Sequence, residues 1–192
     1  GVPAQSYYAV KTYEDGDKVN ITAAAEGMKA VSSATVVPSR FPLTSINFVL
    51  KGGEPNQLQF WIHFTDNAQT KDYYALKVER KRQFWNDSKY SVENSSLTLN
   101  LDDEPLLNTS SGLDDILMIE NEFYRNLYYW DDTKIQGKSY KVRLNTNYEA
   151  DYEDDFITPD GVEHIKCQVK YRISLYSLSE EFYRYLKSLN DQ

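Results

Sequence analysis

The carboxy-terminal segment must fold as two different elements joined end to end. Over residues 169–176 the side chains alternate, with Val169, Tyr171, Ile173 and Leu175 on one side and Lys170, Arg172, Ser174 and Tyr176 on the other. That is the period of a strand with one buried face. At Ser177 the period changes. Leu178, Phe182, Tyr185, Leu186 and Leu189 recur at helical spacing, and Ser177 and Glu180 stand three apart as in a capping box. A sheet strand therefore feeds a short amphipathic helix, and the segment holds nothing that does chemistry.

Upstream, strand signals dominate. Residues 7–13 read as a strand, 14–17 as a tight turn around Gly16, and 19–25 as the hairpin partner. A second turn follows at 26–29, then an extended run over 30–37 that Pro38 stops. Leu43–Leu50 is a further strand. Residues 58–65 alternate clearly, with Phe60, Ile62 and Phe64 facing one way and Trp61 and His63 the other, and 73–80 continue with Tyr74, Leu76 and Val78 on one face. Residues 95–101 suggest a short strand before the acidic loop 102–104, and 112–119 fit a helical turn or a strand equally. Then 127–130 look extended, 131–138 form a loop and 139–146 alternate again, before a polar excursion over 147–161. Short strands punctuated by turns predict a mainly β fold: an antiparallel, immunoglobulin-like β-sandwich with a short C-terminal amphipathic helix. The 192 residues read as one β-rich domain, with a minor boundary at 38–42 and residues 1–37 as a piece that would complete an upstream β domain.

Composition narrows the function. Tyrosine, at 16 residues, dominates the aromatics and favours strands and half-buried surfaces. No apolar run approaches the roughly 20 residues that a membrane-spanning helix needs, and residues 1–9 look like a cut end rather than a native start. The single Cys167 excludes an internal disulfide and any multi-cysteine metal site. Residues 102–155 carry 14 acidic against 5 basic side chains, so this stretch holds more than the whole net charge of −8. Phosphate binding needs a basic face, which argues against nucleic acid as a partner. The short basic run Lys77, Arg80, Lys81 and Arg82 reads as a solvated strand end.

Catalytic signals are thin. Neither His63 nor His164 lies in a nucleophile-elbow context. His164 and Cys167 are three apart, which in a strand points them to opposite faces, and a zinc site would need further ligands. Asp151, Glu153, Asp154 and Asp155 lie in a loop of the kind from which calcium takes oxygen ligands, although their spacing does not match the EF-hand. A solvated acidic run is the plainer alternative, and calcium is the only cofactor suggested. Among the aromatics, Tyr128, Tyr129 and Trp130 stand together. If they form a strand with one wet face, at least one ring points outward as a contact surface.

Several phrases, in order, resemble a family of Bacteroidetes outer-membrane lipoproteins known as domain of unknown function 4249. They are the run ending at Pro38 ("SATVVP"), residues 64–76 ("FTDNAQTKDYYAL"), 102–107 ("DDEPLL"), 130–144 ("WDDTKIQGKSYKVRL") and 169–189 ("VKYRISLYSLSEEFYRYLKSL"). The resemblance covers nearly the whole chain. Members usually carry a lipid-anchoring cysteine and an N-terminal β domain and commonly extend past the terminal helix, so this chain looks truncated or unusually short. Members are encoded beside TonB-dependent transporters of the SusC type and their SusD-type lids.

The resemblance implies a non-catalytic accessory lipoprotein, exposed on the bacterial cell surface and held in the outer membrane by a lipid anchor that this chain lacks. Its expected partners are a SusC-like transporter and a SusD-like lipoprotein in a nutrient-uptake complex. It brings no catalytic residues, because none is established for the family. On the residues alone, an independent glycan- or peptide-binding module stays open as an alternative, and a hydrolase using His63 or His164 as a further one.

Overall fold

The computed structural model describes residues 10–53, 57–86, 89–107, 126–147, 155–157, 163–165 and 167–190. The chain divides into two compact units, Gly1–Arg40 and Phe41–Gln192, and the division falls inside the stretch 38–42.

In the first unit, β1 (Lys18–Ala23) pairs antiparallel with β2 (Val31–Val36), from Lys18 opposite Val36 to Ala23 opposite Val31. The partner expected for this strand was 7–13. The structure instead puts 10–13 outside any strand, while 1–9 lie outside the described residues. The reconnection has a simple cause: Gly27 takes φ 76° and Met28 N–H donates to the Ala25 carbonyl at 3.1 Å, closing a turn that sends the chain straight back along β1. Gly16 and Val37 extend the ladder, with Gly16 N–H donating to Val37 and Val37 N–H to Asp17, both at 2.9 Å.

The second unit is built on two antiparallel sheets. One has the order β3 (Leu43–Leu50), β4 (Gln57–Thr65), β8 (Ser139–Asn147). The other centres on the long β5 (Tyr73–Asn86), flanked from Tyr73 to Phe84 by β11 (Cys167–Leu178). The opposite edge of β5 is shared end to end: β6 (Lys89–Ser96) pairs with Glu79–Asn86, and β7 (Tyr128–Asp131) pairs with Tyr73–Leu76. A small hairpin, β9 (Asp155–Ile157) with β10 (Glu163–Ile165), stands apart from both.

Strand parity fills the space between the sheets. Leu58, Phe60, Ile62 and Phe64 of β4 and Val142 and Leu144 of β8 pack with Tyr74, Leu76 and Val78 of β5 and with Tyr128 and Trp130 of β7. Tyr171 of β11 lies edge-on to Phe60, their ring centroids 5.2 Å apart. This is a β-sandwich whose core obeys the two-residue period.

A third layer covers the back of the second sheet. Helix α1 (Glu180–Asn190) buries Leu186 in a second cluster with Ala75, Leu127, Tyr129 and Leu178. The helix begins two residues later than the capping box at Ser177 suggests. Ser177 and Leu178 remain in the ladder opposite Tyr74 and Tyr73, and the Ser179 hydroxyl accepts from Phe182 N–H at 3.3 Å to cap the first turn. The run Lys77, Arg80, Lys81 and Arg82 also departs from expectation. It lies in the middle of β5, between two strands, and Lys77 is buried.

Candidate functional site

The aromatic triplet is placed first, and it corrects the expectation of a contact surface. Tyr128, Tyr129 and Trp130 are all buried, Trp130 being only 3% exposed. Strand β7 belongs to the middle layer and has no wet face. Tyr128 and Trp130 enter the core between the sheets, while Tyr129 points to the other side and lies beneath α1, its hydroxyl 3.3 Å from the Leu186 carbonyl. Of the calcium candidates, Asp151, Glu153 and Asp154 lie outside the described residues. Asp155 opens β9, where only the backbone is described. His63 lies on the outer face of β4 and His164 in β10.

The chain gathers a different group of carboxylates. Asp66 and Asp72 bracket the β4–β5 loop, and Asp132 opens the short 3-10 helix Asp132–Lys134 after β7. One oxygen from each lies within 4.8 Å of the others, and Asp66 and Asp132 are buried. Every one of these groups has work in the fold. Asp66 accepts from the Tyr74 hydroxyl and from Gly137 N–H at 2.7 Å. Asp132 accepts from Asp72 N–H at 2.7 Å and is bonded by the Lys71 ammonium. Asp72 accepts from the Thr70 hydroxyl at 2.7 Å. Asp131 caps the 3-10 helix by accepting from Thr133 N–H at 2.8 Å, and its other oxygen takes a 3.4 Å bond from the Tyr183 hydroxyl of α1.

Electrostatics follow from this crowding. Burial opposes the charge on Lys71, but the bond to Asp132 and the nearby Asp131 outweigh it and raise its pKa. Burial is also the main reason the Asp72 carboxyl is pushed up; the Thr70 bond resists this and the charges of Asp66 and Asp132 add to it. The Tyr74 hydroxyl is held above its ordinary value by burial and then by its bond to Asp66. The Tyr183 hydroxyl is pushed up to about 12, again chiefly by burial. Asp66, Asp72 and Asp132 are the described residues that could hold a hard cation. Lys71 already supplies one countercharge, so the arrangement works as a clasp locking the β4–β5 loop to the β7–β8 loop. Gly137 completes it: at φ 69° a Cβ here would come within 2.7 Å of the Ala68 Cβ.

A second buried carboxylate, Glu104, acts as a plug that pins the loop after residue 100. Glu104, fully buried, accepts from Leu106 N–H at 2.9 Å, from the Tyr140 hydroxyl at 2.9 Å and from Arg143 N–H at 2.8 Å.

The model of the family described as Domain of unknown function (DUF4249) matches residues 2–192. The chain belongs to this family. No curated protein and no solved structure gives a significant match. In this DUF4249 member, the resemblance phrases coincide with the clasp and the plug. Residues 64–76 carry Asp66, Lys71 and Asp72, residues 130–144 carry Asp131, Asp132 and Gly137, and 102–107 carry Glu104. The sequence does not show that these carboxylates act together, because Asp66, Asp72, Asp131, Asp132 and Glu104 fall in three separate stretches that only the sandwich brings together. The one usable signal is polarity out of place: acidic residues where an apolar strand ends, as at Asp66 after β4 and at Asp131 and Asp132 at the end of β7.

Proposed function

We propose that this DUF4249 protein is a non-catalytic accessory lipoprotein of the bacterial cell surface, docked to a SusC-like transporter and its SusD-like partner in a nutrient-uptake complex. One observation in the fold carries the docking part of this reading. Ile46, Phe48 and Leu50 of β3 stand opposite Ile62, Phe60 and Leu58, on the face that is buried in β4, yet they are 40%, 69% and 58% exposed. Among the described residues the core ends at β4 and β3 pairs only with β4, so none of them pairs with its outer edge or covers its apolar face. The strand LTSINFVL has no charge and no proline to discourage pairing. An edge of this kind receives an extended segment by strand addition, in which main-chain bonds give affinity and alternate side chains give specificity.

The surface location, the anchor and the identity of the partners rest on the family resemblance. Support for a non-catalytic role comes from the carboxylates, which are engaged in the clasp and the plug. The test is affinity purification of the tagged protein from its native outer membrane at native expression. Recovery of the transporter pair with the wild type and its loss with Phe48→Asp is the expected result; recovery of the protein alone would overturn the reading.

A further inference from the structure

The opposite face of the β3-β4-β8 sheet carries a regular array with Trp61 at its centre. Register places Asn47 and Arg143 directly across from Trp61, Ser45 and Lys141 across from His63, and Val49 and Asn145 across from Gln59. Directly paired residues share a face in an antiparallel sheet, so these side chains form one continuous patch. Trp61 is half-buried within it, while Asn47 and Arg143 are exposed.

The indole is fixed along its edge. Its Nε1 donates to Gln59 Oε1 at 2.5 Å. Gln59 spends both amide protons in turn, on Asn145 Oδ1 at 2.8 Å and Asp103 Oδ2 at 3.1 Å. Asp103 is further held by Asn145 Nδ2 at 2.8 Å and by the Lys51 ammonium at 2.9 Å. With Gln59 using its carbonyl on Trp61 and both amide protons on Asn145 and Asp103, the network orients the indole at its rim. The ring face is left to a cation: Lys141 Nζ stands 4.3 Å from the ring centroid. Arg143 uses its backbone N–H on Glu104, and its guanidinium makes no hydrogen bond or ion pair with a described residue. Lys51, Lys141 and Arg143 bring three cations to this patch, where Asp103 is paired with Lys51 and the buried Glu104 is held by the Arg143 N–H and the Tyr140 hydroxyl.

We infer that this face binds a sugar ring bearing a carboxylate, as in a uronic-acid oligosaccharide. The pyranose C–H face stacks on Trp61, where the ring quadrupole attracts positively polarised groups as it attracts Lys141. The carboxylate takes the open fork of Arg143 in a bidentate pair, and Lys141 swings off the ring to the same anion. Asn47 is placed to meet ring hydroxyls. The site lies on the other face of the sheet from Ile46, Phe48 and Leu50 and does not rest on the docking reading. Failure at one face leaves the other intact.

Titration calorimetry of the purified chain with trigalacturonate tests the inference, with galactotriose as the uncharged counterpart and poly-glutamate as a ring-free polyanion. Trigalacturonate is expected to bind, and galactotriose to bind at least about tenfold more weakly, the size of one charge-assisted contact. Trp61→Ala should abolish binding, Trp61→Phe should retain it in part, and the exposed Arg143→Gln should erase the preference for the acid while the fold is kept. Equal affinity for galactotriose or poly-glutamate, indifference to Trp61→Ala in a folded variant, or no heat with trigalacturonate would each overturn it.

Discussion

Buried carboxylates decide much of this molecule's stability at the level of single residues. Glu104, itself fully buried, gathers two backbone N–H groups and one hydroxyl. Removing it leaves one buried and two partly buried donors without their acceptor, so Glu104→Ala should cost about 3 kcal/mol in urea unfolding, and Glu104→Gln, which keeps an acceptor oxygen, clearly less. Asp72 works in the opposite sense. Its folded pKa is raised, so the native state prefers the protonated form, and ionisation weakens the fold at pH above the raised value. Asp72→Asn should therefore raise the melting temperature at pH 7. That advantage should shrink as pH falls through the folded pKa and the wild-type carboxyl gains its proton. A gain that grows on acidification would contradict the crowding assigned to Asp66 and Asp132. None of these roles was legible in the sequence. Asp66 and Asp132 are 66 positions apart in the chain, and no local pattern tells a clasp from a solvated turn.

Elements were more legible than residues, and the exceptions share a cause. The alternation of β4 could be read directly, since a strand with one buried face writes its burial into every second residue. The misreading of Tyr128, Tyr129 and Trp130 arose where that assumption fails. Strand β7 is covered by a sheet on one side and by α1 on the other, and nothing within four residues announces a helix some 50 positions later. The start of α1 moved for a related reason: pairing with Tyr73 and Tyr74 holds Leu178 and Ser177 in the ladder, overriding the local cap signal. Edge strand β3 was legible as a strand, but its apolar residues Ile46, Phe48 and Leu50 are exposed in the described fold. Phe48→Asp should leave the unfolding midpoint within about 0.5 kcal/mol of wild type. Phe60→Ala, its buried neighbour across the ladder, should cost about 3–5 kcal/mol. Equal costs would mean that Phe48 is buried in solution.

At the scale of the whole molecule, the two units differ in how much holds them. Both hydrophobic clusters are drawn from residue 41 onward, while β1 and β2 form a two-stranded ribbon with Ile21, Val31 and Val36 exposed. A ribbon of two strands is marginal in water, so amides of 18–36 should exchange with solvent far faster than those of β4 and β5. What distinguishes the sandwich is that, among the described residues, its core stops one strand short of its sheet, leaving a neutral apolar edge on a strongly acidic protein. Hydrogen–deuterium exchange of the chain, alone and with the purified SusC-like and SusD-like pair, tests this most directly. Residues 43–50 should exchange readily in the free protein and become protected on addition of the pair, with β4 protected throughout. Unchanged exchange in that strand, or protection confined to other segments, would contradict docking at β3.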